Sequence, residues 1–294
     1  MLFRSASTPV SGIIATSTIW TKENSPYVIT NTLNVPYGVT LTILPGTIVK
    51  LNHAWVDIYG TLISGTATSS EQVYFTSINN DSIGGDTNGD GTSTIPNVAD
   101  WKTIYFRPSS IGDLHFTTIT YSGGDNGGGG NGAIINENAE LTLSNSVITK
   151  TTRFGIFESM GITTVIRSEI SGAWWGISTP NPSSIITVHQ SSIHGNSTCG
   201  ICNYSSNTID MTNNWWGDAS GPRSLLHNAS GTGDTIDDPF YDSTQFTPWL
   251  TVEPDLTIVG TSTPPQDPCL GVTNCNSNVL FLPGIEGRDR KSVV

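Results

Sequence analysis

The residues best spaced for chemistry lie in one short stretch. Asp86, Asn88 and Asp90 alternate along Asp86-Thr-Asn88-Gly-Asp90-Gly91, a D-x-N-x-D-G run inside the Gly- and Asp-rich segment 81–100. Alternating carboxylate and amide side chains around a tight glycine turn can bring oxygen ligands together on one hard cation, so the spacing predicts a calcium loop. The run departs from the helix-flanked form of such loops. Its twelfth position is Asn97 rather than a bidentate glutamate, and no helical pattern flanks it. Asp81 or Asp100 is left to complete the shell. An ion here would order a long loop, which is a structural role. The same letters also suit a polar surface loop.

Two tryptophan pairs follow, Trp174-Trp175 and Trp215-Trp216. Exposed tryptophan stacks on sugar rings, so Trp174 and Trp175 are the candidate carbohydrate platform, with a polysaccharide or cell-surface glycan as partner. Large aromatics also serve burial, and Trp216 falls in an inward column described below. Cys199-Gly-Ile-Cys202 has His189 and His194 upstream, and a zinc site would need all four to converge. Cys202, beside the inward Ile201, is expected to face outward. An extended strand holds residues i and i+3 too far apart for a disulfide, so isolated thiols or a turn disulfide fit better. Cys269 and Cys275 enclose a short loop in which a local disulfide is expected, implying an oxidising compartment.

Other chemistries lack their residues. Residues 114–207 hold no Asp-Asp pair of the kind glycoside hydrolysis uses, and Lys150, Arg153, Arg167 and Glu169 fall in different columns. Asp237-Asp238 sit in a Gly/Asp-rich loop and read as acidic surface. The glycine run 123–132 lacks a phosphate-loop lysine and reads as a flexible loop. With 12 basic against 24 acidic residues and no Lys/Arg run, the chain carries no nucleic-acid footprint. No apolar run approaches the ~18 residues of a membrane span.

The elements that must position these residues announce themselves by repetition. Ile148, Ile170, Ile193 and Trp216 are spaced by 22, 23 and 23 residues. Five before each stand Leu143, Val165, Val188 and Met211; two before stand Ser146, Ser168, Ser191 and Asn214. Seven or eight after come Ile156, Ile177 and Ile201, each preceded by a glycine, Gly155, Gly176 or Gly200. The runs between are short, β-branched and alternating, hence strands. A coil of ~22 residues cannot bury its own apolar face, whereas stacked coils share one core. The 31 glycines and only 12% charged residues agree with many short strands and turns.

On these columns the chain resembles the right-handed parallel β-helix of the pectate-lyase-like superfamily, an all-β solenoid with coils of about 22–23 residues. The phrase at 39–49, VTLTILPGTIV, resembles the opening coils of secreted bacterial β-helix proteins; NNWWGDASGP at 213–222 and FTPWL at 246–250 resemble their closing phrases. Pectate lyases of this fold use calcium-bound carboxylates with an arginine base, and polygalacturonases use clustered aspartates; neither set is evident here. The ends read differently. Residues 1–5 and 288–294 match translations of a common short-read sequencing adapter and are expected to be artefacts. Between them lie the β-helix at 6–250, a Pro/Thr-rich linker at 251–277, and NVLFLPGIEG at 278–287. That last run resembles the first strand and oxyanion-side loop of lecithin–cholesterol-acyltransferase-like α/β-hydrolase lipases.

The expected role is a non-catalytic extracellular or cell-surface module, binding glycan or spacing a fused domain, with calcium as a structural ion. The competing reading is an enzyme: a polysaccharide lyase or glycoside hydrolase on the solenoid, or the start of a lipase-like hydrolase.

Overall fold

The computed structural model describes residues 7–124 and 132–256. The expectations for the two ends, for Cys269–Cys275 and for the 278–287 strand lie outside the described residues. Among those residues there is no α-helix, only a 3-10 turn at Lys22–Asn24. All ladder pairings are parallel, in one sheet of sixteen strands and another of nine. This is an all-β solenoid of the parallel β-helix type.

The larger sheet is two ladders joined through the long strand Tyr27–Val35. Its Tyr27, Val28 and Ile29 pair with Val49, Lys50 and Leu51, while Leu33, Asn34 and Val35 pair with Val56, Asp57 and Ile58. Each coil therefore has three faces. The first face runs through Ile48–Leu51, Val73–Ser77, Thr117–Thr120, Val147–Thr149, Glu169–Ser171 and Ser192–His194. The second runs through Val56–Ile58, Ile104–Phe106, Gly132–Glu137, Phe154–Ser159, Trp175–Thr179, Cys199–Asn203 and Gly233–Asp237. The nine-stranded sheet, from Thr18–Trp20 to Thr244–Gln245, is the third.

The repeat columns are the core. Leu143, Val165 and Val188 stand in register, as do Ile119, Ile148, Ile170 and Ile193, and likewise Ile156, Ile177 and Ile201. All are buried, with Met211 and Trp216 continuing two of the columns. The small polar column has its own reason. At the corner from third to first face, Phe116, Asn145, Arg167, Gln190 and Asn213 adopt left-handed backbone (φ 45 to 58°), which turns the chain out of its ladder. The next residue's N–H needs another acceptor. Thr117 N–H donates to Ser146 Oγ (3.1 Å), Ser146 N–H to Ser168 Oγ (3.1 Å), Ser168 N–H to Ser191 Oγ (3.1 Å), and Ser191 N–H to Asn214 Oδ1 (2.9 Å). Each coil thus caps the corner of the one before it.

Long connections concentrate at one corner, between first and second faces. Residues 78–103 leave there, and Trp174 and the 216–232 segment lie there too. Insertions confined to one side of a solenoid commonly build its binding side.

Candidate functional site

Two constellations occupy that side. The first is the loop after Val73–Ser77. Asn80 Nδ2 anchors it by donating to Thr76 Oγ1 (2.9 Å), and Gly84 rests close to Pro26 and Ile48. Asp86 closes the tight turn: its Oδ1 accepts Gly89 N–H (2.8 Å) and its Oδ2 accepts Gly91 N–H (3.0 Å). Both glycines have φ above 70°, which side-chain-bearing residues rarely adopt. The turn brings one carboxylate oxygen each from Asp81, Asp86 and Asp90 within 4.8 Å of one another.

Asp81 Oδ1 and Asp90 Oδ1 are buried and have no hydrogen-bond partner. A buried carboxylate oxygen without a donor carries its full desolvation cost. Burial and the neighbouring Asp86 charge accordingly push the Asp81 carboxyl above its ordinary range. Beneath the loop Lys50 is completely buried, its Nζ donating to Gly85 O at 2.5 Å. Burial lowers its ammonium to about 8, with Asp81 and Asp86 pulling the other way. Three carboxylates and one ammonium leave two negative charges, which one divalent cation neutralises. The donors are all oxygens, the set a hard cation takes.

The predicted trio is rearranged. Asp86 and Asp90 converge, and Asp81 joins them. Asn88 braces the loop instead, its Nδ2 donating to Asp90 Oδ2 (2.9 Å), Thr94 Oγ1 (3.1 Å) and Asn79 Oδ1 (3.3 Å). Asp100 turns away and accepts hydrogen bonds from Ser77 Oγ, Asn79 Nδ2 (3.2 Å) and Asn97 N–H (3.1 Å).

The second constellation lies on the outer surface of the second face. Trp174 is 55% exposed and meets Trp175 edge-on at 6.5 Å. Trp175 stacks on Phe154 (4.9 Å, 24° between planes), and Phe154 packs on Phe157 at 4.8 Å. The Arg153 guanidinium covers the Phe154 and Trp175 rings at 5.3 and 5.7 Å. Further along the same face, Asp57, Tyr105, Ile135 and Phe157 form one outward column. Arg107 lies 3.6 Å over the Tyr105 ring, donates to Asp57 Oδ1 through Nε (3.0 Å) and Nη2 (2.8 Å), and approaches Glu137 Oε2 at 3.8 Å. Tyr105 donates its hydroxyl to Glu137 (2.8 Å); burial, and then Glu137, push that hydroxyl up to about 12. Lys102 covers Trp55 at 4.9 Å and Lys150 covers Tyr121 at 5.2 Å. Four cations of an acidic chain therefore sit on aromatic rings on this side.

Sequence reading missed Asp57, Tyr105, Arg107, Glu137 and Lys50. Asp57 and Arg107 are fifty residues apart, and the 78–103 loop between them destroys the period that would align their columns.

The cysteine expectation is corrected. Cys199 and Cys202 form a disulfide; Cys202 keeps the outward column of Phe157 and Ser178, yet both cysteines are buried. The strand is bent there: the two Cα atoms are 5.9 Å apart, where an extended run would separate them by about 10 Å. With those sulfurs bonded to each other, the zinc set is gone. Its histidines lie against carboxylates, His189 Nε2 at 3.3 Å from Asp210 and His194 Nε2 at 3.5 Å from Glu169. Glu169 raises the His194 pKa. Asp238 is not idle surface: its Oδ2 accepts Ser243 N–H (2.7 Å), Thr244 N–H (2.9 Å) and Asn203 Nδ2 (3.2 Å), closing the last coil.

No protein-family model, curated protein or solved structure matches this sequence. No helix among the described residues is long and apolar enough to cross a membrane.

Proposed function

We propose that this chain is a non-catalytic, extracellular, glycan-binding β-helix module with a calcium-ordered loop. The observation that carries the binding role is the continuous ring surface Trp174–Trp175–Phe154–Phe157 with Arg153 over it. A half-exposed tryptophan supported by stacked rings offers a rigid apolar face to the C–H side of a sugar, and the guanidinium supplies donors for its hydroxyls or carboxylates. The calcium role rests on the three converged aspartates and their two orphaned buried oxygens. The buried Cys199–Cys202 disulfide fits an oxidising, extracytoplasmic compartment.

Trp174→Ala is expected to weaken binding to a responsive polysaccharide about tenfold or more, a loss in the range of one aromatic contact. Trp216→Phe, inside the core, should leave that affinity unchanged. A glycan array followed by calorimetry on the best hit reads both. Equal binding by Trp174→Ala and Trp175→Ala proteins would end the platform idea.

One observation favours an enzyme instead. Asp57 and Glu137 are two carboxylates bridged by Arg107 across the coil that carries Tyr105, which is the clustering a polysaccharide-active site needs. Arg107 engages both and Tyr105 donates its hydroxyl to Glu137, so these carboxylates are occupied within the protein and the binding reading stands first. Release of reducing ends or of unsaturated sugars by the wild type, abolished in Asp57→Asn and Glu137→Gln, would reverse that order.

A further inference from the structure

The feature that the calcium reading leaves unused is the lysine beneath the loop. Lys50 projects from the first face, where its neighbours in register are Val28 and Thr76. A lysine in that position would ordinarily extend into solvent. Here it has no exposed surface, because the 78–103 segment folds back over it, and its Nζ donates to Gly85 O. Gly85 immediately precedes Asp86, so the lysine is tied to the aspartate-bearing turn itself. Nothing in the packing alone calls for an ammonium there, since a methionine would fill the same space.

We propose that Lys50 is a built-in counter-charge that sets the affinity and selectivity of the Asp81/Asp86/Asp90 centre. The inference rests on the calcium reading and deepens it. Without an ion, the ammonium partly offsets three converging carboxylates and holds the turn against the sheet through Gly85. It makes no hydrogen bond to the two orphaned oxygens, Asp81 Oδ1 and Asp90 Oδ1, so the need for a cation persists. With an ion bound, the same ammonium repels it. Affinity in oxygen-ligand calcium sites follows the number of ligand charges. A centre with net charge of two rather than three belongs with extracellular modules, whose dissociation constants lie around 10⁻⁴–10⁻³ M. Such a site fills in extracellular calcium and is bare at cytosolic calcium, so the loop would lock only outside the cell. A monovalent ion would leave one charge uncompensated, which selects for divalent ions.

Two opposing effects follow from Lys50→Met. Loss of the Gly85 tether loosens the free loop, weakening binding by roughly tenfold at most, the scale of one hydrogen bond. Loss of the repulsion between the ammonium and a divalent ion strengthens binding by about a hundredfold or more, even at a separation of about 10 Å and an effective dielectric constant near 20. The repulsion wins, and net binding is expected to tighten at least about tenfold.

The test is calcium titration of wild type, Lys50→Met and Asp81→Asn by calorimetry, with protease cleavage within 81–100 followed in EDTA and in calcium. Wild type is expected to bind in the range 10⁻⁴–10⁻³ M, Lys50→Met at least about tenfold tighter, and Asp81→Asn more weakly than wild type. In EDTA the Lys50→Met loop should be cut faster than the wild-type loop; in calcium it should be protected at lower ion concentration. Binding by Lys50→Met alone would support the proposal in its strongest form. A wild type that binds while Lys50→Met binds equally or more weakly overturns the role of Lys50 and leaves the calcium site standing. A wild-type constant below about 10⁻⁶ M overturns it without any variant. Absence of binding in all three proteins overturns the calcium reading and this inference together.

Discussion

Glu158→Gln is expected to raise the stability of this protein at pH 8 and to lower it by about 1–2 kcal/mol at pH 4.5. Glu158 has no exposed surface and stands in register with Asn136 on the inner side of the second face. Its Oε2 accepts hydrogen bonds from Asn136 Nδ2 (2.9 Å) and Thr163 Oγ1, while Oε1 is buried without a partner. Burial dominates and pushes the carboxyl from 4.5 to about 7 against those hydrogen bonds, with no neighbouring charge involved. A carboxyl whose folded value is raised contributes stability that is fully present below the unfolded value. It is lost as pH rises through the folded value. The window is therefore about pH 4.5 to 7, and the loss is about 3 kcal/mol at 1.4 kcal/mol per unit. Glutamine keeps an acceptor for Asn136 and Thr163 and cannot ionise, but places an amide N–H₂ where Oε1 lacks a partner, a cost of about 1–2 kcal/mol. The net gain at pH 8 is then about 1–2 kcal/mol. Denaturant unfolding of both proteins at pH 4.5 and pH 8 reads it. The difference between the two proteins isolates Glu158 from every other titrating group. A difference that does not change with pH would show that Glu158 ionises freely.

What the sequence discloses depends on where its period survives. From residue 141 onward the steps are nearly constant, so inward columns can be aligned by counting. Leu143/Val165/Val188 and Ile148/Ile170/Ile193 are the core in register as their spacing predicts. The serine column is visible too, although its task of accepting the previous coil's N–H at a left-handed corner needs the stacked geometry. Before residue 141 the segments 78–103 and 123–132 break the count. Asp57, Arg107 and Glu137 therefore look unrelated in sequence and are neighbours in space. Asp81 joins Asp86 and Asp90 for a comparable reason: it lies outside the alternating motif, and only the fold of the loop brings it in. Alternation fails wherever the chain turns. Trp174 and Trp175 stand at a corner, where it cannot say which ring is exposed. Counting from Ile201 places Cys202 on the outside, in register with Ser178, but it cannot show that the strand bends enough to bond Cys202 to Cys199. Lys50 lies under a loop that local pattern cannot place.

The glycines that precede Ile156, Ile177 and Ile201 yield the second large expectation: Gly176→Ala is expected to destabilise by about 2–3 kcal/mol. Gly155, Gly176 and Gly200 are the second residues of three stacked strands of the second face, and none has the left-handed backbone that would by itself demand glycine. On a strand with ordinary backbone, alanine should stabilise by up to about 1 kcal/mol through the unfolded chain. Space reverses the sign. A Cβ at Gly176 would stand 2.6 Å from Gly200 O and 2.8 Å from Asn196 Nδ2; one at Gly155 would stand 2.5 Å from Gly176 O. Rungs about 4.8 Å apart are held by the ladder on both sides, so that carbonyl cannot retreat without loosening the pairing of Ile177 with Ile201. Asn196 cannot retreat cheaply either, because its Nδ2 donates to Ile170 O (3.0 Å) and Asp234 Oδ2 (2.9 Å). At Gly200 the nearest atoms, from Asp234, Ile193 and Trp216, are all side-chain and all 3.0 Å away, so they can give a few tenths of an ångström. The predicted order of loss is Gly155→Ala and Gly176→Ala well above Gly200→Ala, read as denaturation midpoints at unchanged m-value. An alanine at Gly176 that matched or exceeded wild-type stability would mean that these strands do not stack in this register, and the alignment of every column on the second face would fail with it.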